Sequence, residues 1–161
     1  MQNKKLTYTV EEAKRKLESY CIYQDRCHKE IDQKLFEMGM IKEANEVIIL
    51  HLIEHNFLNE ERFARSYARG KFKIKKWGRQ RIIRELKLRE ISKYNIEKGL
   101  LEIDQKEYMD TLLEIINKKN ESVRENNTFK KRKKIVDFLL RRGFESVLVF
   151  DMVNEVLSKE K

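Results

Sequence analysis

Ile135-Val136-Asp137-Phe138-Leu139-Leu140-Arg141-Arg142-Gly143-Phe144 places two apolar residues four apart, a glycine four further on, and an apolar residue after it. The same spacing recurs at Ile31, Leu35, Gly39 and Met40, and at Ile82, Leu86, Glu90 and Ile91. An i, i+4 apolar pair lies on one face of a helix. A chain reversal and an apolar residue follow, and then another helix begins. The three copies are offset by 51 and 53 residues. A unit of about 50 residues accommodates three short helices, so the chain reads as a tandem array of three-helix units. Each unit is too small for a strong core of its own and must lean on a neighbour or a partner.

Working outward, apolar residues recur at helical spacing almost throughout, and no alternation reaches strand length. Thr9-Val10-Glu11-Glu12 is a capping box opening a helix with Val10, Ala13, Leu17 and Tyr20 on one face. Asp25 is placed to cap a second, striped by Cys27, Ile31, Leu35 and Met38 and closed by Gly39. A third runs from about Lys42 to His55 with Val47, Ile48 and Leu52 inward. Asn59 caps a fourth, with Phe63 and Tyr67 read as core; the Trp77-Gly78 break precedes a fifth, carrying Ile82, Ile83 and Leu86. Ser92 caps a sixth, and Asp104 with Glu107 opens a seventh. The polar stretch Asn117–Asn127 is a loop or a helix extension. Thr128 is expected to cap an eighth, carrying Ile135, Phe138 and Leu139, and Ser146 a last, carrying Val149, Val153 and Val156. The expected class is all-α, an elongated array able to curve, divided at 1–56, 57–103 and 104–161.

Composition agrees. The 161 residues include no proline and five glycines, with 40% hydrophobic and 39% charged. An average chain carries about 5% proline, so its absence excludes proline-rich linkers and polyproline ligand segments. The longest apolar runs are about five residues, against the ~20 that span a bilayer. Met1 to Thr9 hold no apolar signal region, which predicts a cytoplasmic protein. Two cysteines, Cys21 and Cys27, make no secreted disulfide framework and read as buried, apolar-like residues.

The net charge of +9 is uneven. Arg62 to Lys93 hold 13 basic and 2 acidic residues, net +11, and Lys118 to Arg142 hold 10 and 3, net +7. The remainder sums to −9. Two basic segments on an acidic background predict an anionic partner, nucleic acid or an acidic protein surface. The candidate contacts are Arg69, Lys71, Lys73, Lys75, Lys76, Arg79, Arg81 and Arg84, and further on Lys130, Lys131, Arg132, Lys133, Lys134, Arg141 and Arg142. Phe72 and Trp77 interleave with the first group. Exposed aromatics there could stack on bases, at ~1–3 kcal/mol per base; Trp77 equally suits packing at the turn between two helices.

Catalytic signals are thin. His51-Leu52-Ile53-Glu54-His55 sets two histidines at i, i+4 around a glutamate, superficially an inverted zincin order. Cys21, Cys27 and His28 lie upstream, but their spacing is no zinc knuckle. Gly70 and Gly78 are isolated, so there is no phosphate loop. No metal and no cofactor are expected, and an enzyme using His51, Glu54 and His55 is the third reading after two binding roles.

The segment Phe57-Leu58-Asn59-Glu60-Glu61-Arg62-Phe63-Ala64-Arg65-Ser66-Tyr67 resembles the central motif of the RecX family. The resemblance continues through Trp77-Gly78, Ile82, Glu85-Leu86 and Ile91-Ser92, and through Leu140-Arg141-Arg142-Gly143-Phe144. It spans roughly residues 20–157. Glu90 stands where the family has glycine, so the turn there is expected to avoid positive φ. The resemblance implies a non-catalytic regulator that binds the RecA nucleoprotein filament, along its groove, and inhibits strand exchange and ATP hydrolysis. It would act as a monomer in DNA recombination, repair and the SOS response. The alternative is a helical protein that grips single- or double-stranded DNA directly through phosphate contacts.

Overall fold

The computed structural model describes residues 7–160; the reading of Met1 to Thr9 falls mostly on residues 1–6, outside the described residues. Nine helices and no strand occur among the described residues. They are α1 (Val10–Tyr23), α2 (His28–Glu37), α3 (Lys42–Glu54), α4 (Glu60–Lys73), α5 (Arg79–Leu88), α6 (Lys93–Leu100), α7 (Gln105–Ser122), α8 (Thr128–Arg141) and α9 (Ser146–Ser158). They pack as three successive groups of three: α1–α3, α4–α6 and α7–α9. The polar stretch at 117–127 is a helix extension to Ser122 followed by a short loop.

The repeated pattern is a helix-ending turn made three times. The amides of Met40, Ile91 and Phe144 reach back to the carbonyls of Leu35, Leu86 and Leu139 at 3.1, 3.1 and 3.2 Å. Those of Gly39, Glu90 and Gly143 reach Phe36, Lys87 and Leu140. This pair of bonds is a Schellman motif, in which the apolar residue after the turn packs near the leucine that ends the helix. All three turn residues are left-handed: Gly39 at φ +72, Glu90 at +59 and Gly143 at +95. The expectation that Glu90 avoids positive φ therefore fails. The two backbone bonds fix the turn, and a side chain has to tolerate it.

Four further readings change. Asp25 does not cap α2; Cys27 stands there with no side-chain cap, while the Asp25 carboxylate accepts from Arg62 Nε at 2.8 Å and Ser66 Oγ at 2.9 Å. Asn127, not Thr128, caps α8, accepting from the Lys130 amide at 3.0 Å. Glu145 precedes α9 in place of Ser146 and offers it no cap, because its carboxylate is bound to Arg79 and Tyr108. Val47 is 51% exposed; α3 turns Ile48 and Leu52 inward as expected, with Ala44 in place of Val47. The caps at Thr9, Asn59, Ser92 and Asp104 form as expected.

Two cores result. One is confined to α1–α3 and the segment after it, around Leu17, Ile31, Leu35, Ile48 and Leu52. The other runs through the second and third groups without a break, linked by Phe72, Tyr108 and Phe144, whose rings meet at a tilt with centroids 5.6 and 5.3 Å apart. The joint between those groups is made of backbone. The Gly78 amide donates to the Arg142 carbonyl and the Gln80 amide to the Gly143 carbonyl, both at 2.9 Å, while the Arg79 amide donates to Tyr108 Oη at 3.1 Å. The bare amides that begin α5 thus meet the bare carbonyls that end α8, and the helix dipoles meet end to end. A Cβ at Gly78 would lie 2.3 Å from the Gly143 carbonyl carbon, so only glycine fits. The first and second groups meet through buried Cys27, which packs into the second core, and through polar contacts: Asp25 with Arg62 and Ser66, the His28 amide with Glu60, and Lys29 Nζ with the Leu88 carbonyl.

Candidate functional site: a basic outer surface

The structure divides the cations of the first basic segment by residue type. Its arginines largely bind acids from elsewhere in the chain. Arg62 pairs with Asp25 at 2.8 Å, Arg65 and Arg69 with Glu102 at 3.1 and 3.7 Å, and Arg79 with Glu145 at 3.1 Å. The planar fork of arginine suits such multi-contact pairing. Lys73, Lys75, Lys76 and Arg84 are exposed and carry no ion pair among the described residues. Net charge along the sequence therefore overstates what the surface offers: much of the +11 is answered from other groups, and the outward remainder is mainly lysine.

The Gly78–Gly143 joint gathers several of the candidates. Arg142 Nη1 donates to the Lys75 carbonyl at 2.6 Å, and its guanidinium lies 5.3 Å from the centroid of Phe138. This sets the Lys75-Lys76 turn beside Arg141 and Arg142. Trp77 is half-buried next to them, with Arg81 over its ring at 4.0 Å and Lys71 at 4.9 Å. Arg79 joins Glu145, accepts no free role at the surface, donates to Gln105 Oε1 at 2.5 Å and covers the Tyr108 ring at 3.9 Å. Tyr108 is fully buried, and burial together with its bond to Glu145 pushes its hydroxyl well above the usual tyrosine range. Lys130, Lys131 and Arg132 begin the same α8 that ends at Arg141, about 15 Å further along at 1.5 Å per residue. Arg69, held by Glu102, is not drawn into the cluster.

Phe72 is 1% exposed, so the idea that it stacks on bases fails; its place is the shared core. Trp77 has its ring faces occupied by Arg81 and Lys71. Sequence reasoning missed Asp25, Glu102 and Glu145 as the acids that hold these arginines. Only Glu145 carried a signal, its position just after the Gly143-Phe144 turn.

His51 Nε2 lies 2.6 Å from Glu18, and His55 Nδ1 lies 2.9 Å from the His51 carbonyl. Among the described residues no group of three His, Cys, Asp or Glu side chains converges as a metal site. Cys21 and Cys27 are free, buried thiols, pushed up to about 11 by burial. No helix among the described residues is long and apolar enough to cross a membrane.

Three-helix units in tandem, the second and third joined through backbone at Gly78 and Gly143, define a helical-repeat protein. Two family models match, "RecX, second three-helix domain" over residues 59–100 and "RecX, third three-helix domain" over 106–157, together more than half of the chain. The chain belongs to the RecX family. It is 30% identical over 137 residues to "Regulatory protein RecX" of Clostridium botulinum (strain Alaska E43 / Type E3), covering 84% of this chain and 64% of that protein. It is also 30% identical over 98 residues to the Lactobacillus gasseri protein of the same name, covering 61% and 36%. The chain thus spans less than two thirds of these relatives' length. The crystal structure of RecX from Lactobacillus salivarius superposes with a TM-score of 0.81 at 23% identity, over 91% of this chain and 95% of that one. A second structure, described as regulatory protein RecX, gives 0.78 at 22%. Both are likenesses of fold.

Proposed function

We propose that this chain is a non-catalytic regulator that binds the RecA nucleoprotein filament and inhibits its strand exchange and ATP hydrolysis. It acts in the cytoplasm, in recombination, DNA repair and the SOS response. The observation that carries the reading is the row of unpaired cations on both sides of the glycine joint, Lys75 and Lys76 on one side and Arg141 on the other. Cations on both sides of a rigid joint can reach acidic groups on adjacent subunits of a helical polymer. The test is a titration of this protein into RecA on single-stranded DNA. ATP hydrolysis falls at substoichiometric regulator; hydrolysis unchanged at every ratio overturns the reading.

The same exposed lysines support a second reading, direct sequence-independent binding to single- or double-stranded DNA. Phosphate contacts of that kind release counterions, so affinity without RecA falls steeply as salt rises. A salt-insensitive or undetectable interaction removes it.

A further inference from the structure

We propose that the groove between α8 and α9 is a docking site for an acidic amphipathic helix of a partner protein. The groove holds about 290 Å³ and is lined by Phe129, Arg132, Val136, Leu140 and Phe150, with Lys133 and Asp137 at its edge. Phe129 is 72% exposed, Phe150 41% and Leu140 36%, over a floor formed by buried Val136. Phe129, Arg132, Lys133, Val136 and Leu140 follow the i, i+3, i+4, i+7, i+11 spacing of a single helix face. Ile135 and Leu139, on an adjoining face of α8, serve the core together with Val136, so Phe129 and Leu140 are the members of the row that the core does not bury. From Phe129 to Leu140 the row is about 16 Å long, some three turns of helix.

The fold does not require Phe129 and Leu140 to be apolar. The repeat offsets of 53 and 51 residues carry Phe129 onto Lys76 and Asp25, Val136 onto Ile83 and Asp32, and Leu140 onto Lys87 and Phe36. The inward Ile and Leu recur in all three units, whereas only the third has apolar residues at all three of these positions. An apolar face that packing does not explain marks an interaction surface.

Charge selects the occupant. Residues 128–141 contain six cations and one carboxylate, and that carboxylate, Asp137, is bonded to Lys133 at 2.7 Å. Lys130, Arg132 and Arg141 carry no ion pair among the described residues. The Arg132 guanidinium lies 5.6 Å from the Phe150 centroid, and its buried Nε has no hydrogen-bond acceptor. A carboxylate would supply one. Nucleic-acid phosphates would meet the cations but leave Phe129, Leu140 and Phe150 in water. A second copy would set its own cations against these. A helix with carboxylates flanking an apolar stripe satisfies both features, the helix-in-groove mode of recognition. The groove is distinct from the Lys73, Lys75 and Lys76 row, so this inference and the proposed filament binding fail separately.

The test uses the full chain and a fluorescein-labelled synthetic helix with leucine and phenylalanine on one face and glutamate on the other. Anisotropy at physiological salt shows saturable binding. Phe129→Ser with Leu140→Ser leaves net charge unchanged and weakens binding at least about ten-fold, while affinity for a single-stranded oligonucleotide is unchanged. Arg132→Gln also weakens the peptide, and a benzophenone on the peptide's apolar face labels α8 or α9 of the unmutated protein. The proposal is overturned by no peptide binding, by equal binding of a glutamate-only peptide, or by labelling elsewhere. It is also overturned if sedimentation shows that the unmutated protein self-associates through this groove and the double substitution abolishes it.

Discussion

Single residues hold the turns and joints of this protein under unequal strain. Glu90 adopts a left-handed conformation that costs a side-chain-bearing residue roughly 1–2 kcal/mol. Glu90→Gly is expected to raise stability by about 1 kcal/mol, or about 2–4 °C in Tm by calorimetry. Gly78 is the opposite case. Gly78→Ala forces a methyl into the Gly143 backbone and should cost about 1–3 kcal/mol, read as a lower denaturant midpoint. Cys21 and Cys27 give a pH signature. Each thiol moves from the ordinary 9.0 to about 11 through burial, so the folded chain keeps protons that the unfolded chain has released. That contribution to stability is complete below about pH 9 and is lost as pH rises toward about 11. Thermal melts across this range should show the decline, and Cys21→Ala with Cys27→Ala should flatten it. Tyr67 and Tyr108, raised by burial as well, act with the same sign at higher pH.

At the scale of the helix, two substitutions separate cap from neighbour. Asn127→Ala should cost about 1 kcal/mol and Thr128→Ala close to nothing, measured by chemical denaturation. Leu86→Ala, at a position with no exposure, should cost about 2–5 kcal/mol. The same comparison shows what could be read from the chain. Helices and their repeat were legible because an inward stripe with its closing turn imposes residue types at fixed spacing, as at Leu35, Leu86 and Leu139. Thr128 and Ser146 lie one residue inside the helices they were expected to cap, and the misread start of α2 has a different cause. A short polar side chain next to a helix can serve the amides beside it or a distant cation, and Asp25 goes to Arg62, 37 residues away. Val47 was ambiguous because α3 is apolar on more than one side, with Leu50 and Ile53 also exposed. At the candidate site, sequence located the basic segments but not which cations are free. The neutralising acids lie far off in the chain, as Glu145 does from Arg79.

Across the whole molecule, the division between cations held by distant acids, such as Arg62, Arg65 and Arg79, and unpaired ones, such as Lys75, Lys76 and Arg84, separates stability from binding. Charge reversal at Lys75, Lys76 and Arg84 together should weaken filament modulation in the ATPase titration while leaving the melting curve unchanged. Arg79→Glu should instead lower the melting temperature, because it sets a second carboxylate against Glu145 beside the buried Tyr108. The glycine joint has one more consequence, for the nascent chain. The amides that begin α5 find their acceptors at residues 142 and 143, more than sixty positions downstream. Until a ribosome has delivered that segment, the middle helices carry an open end and only part of the core they share with the last group. The first group, with its own core, can settle early. The remaining two are expected to consolidate as one step, late in synthesis.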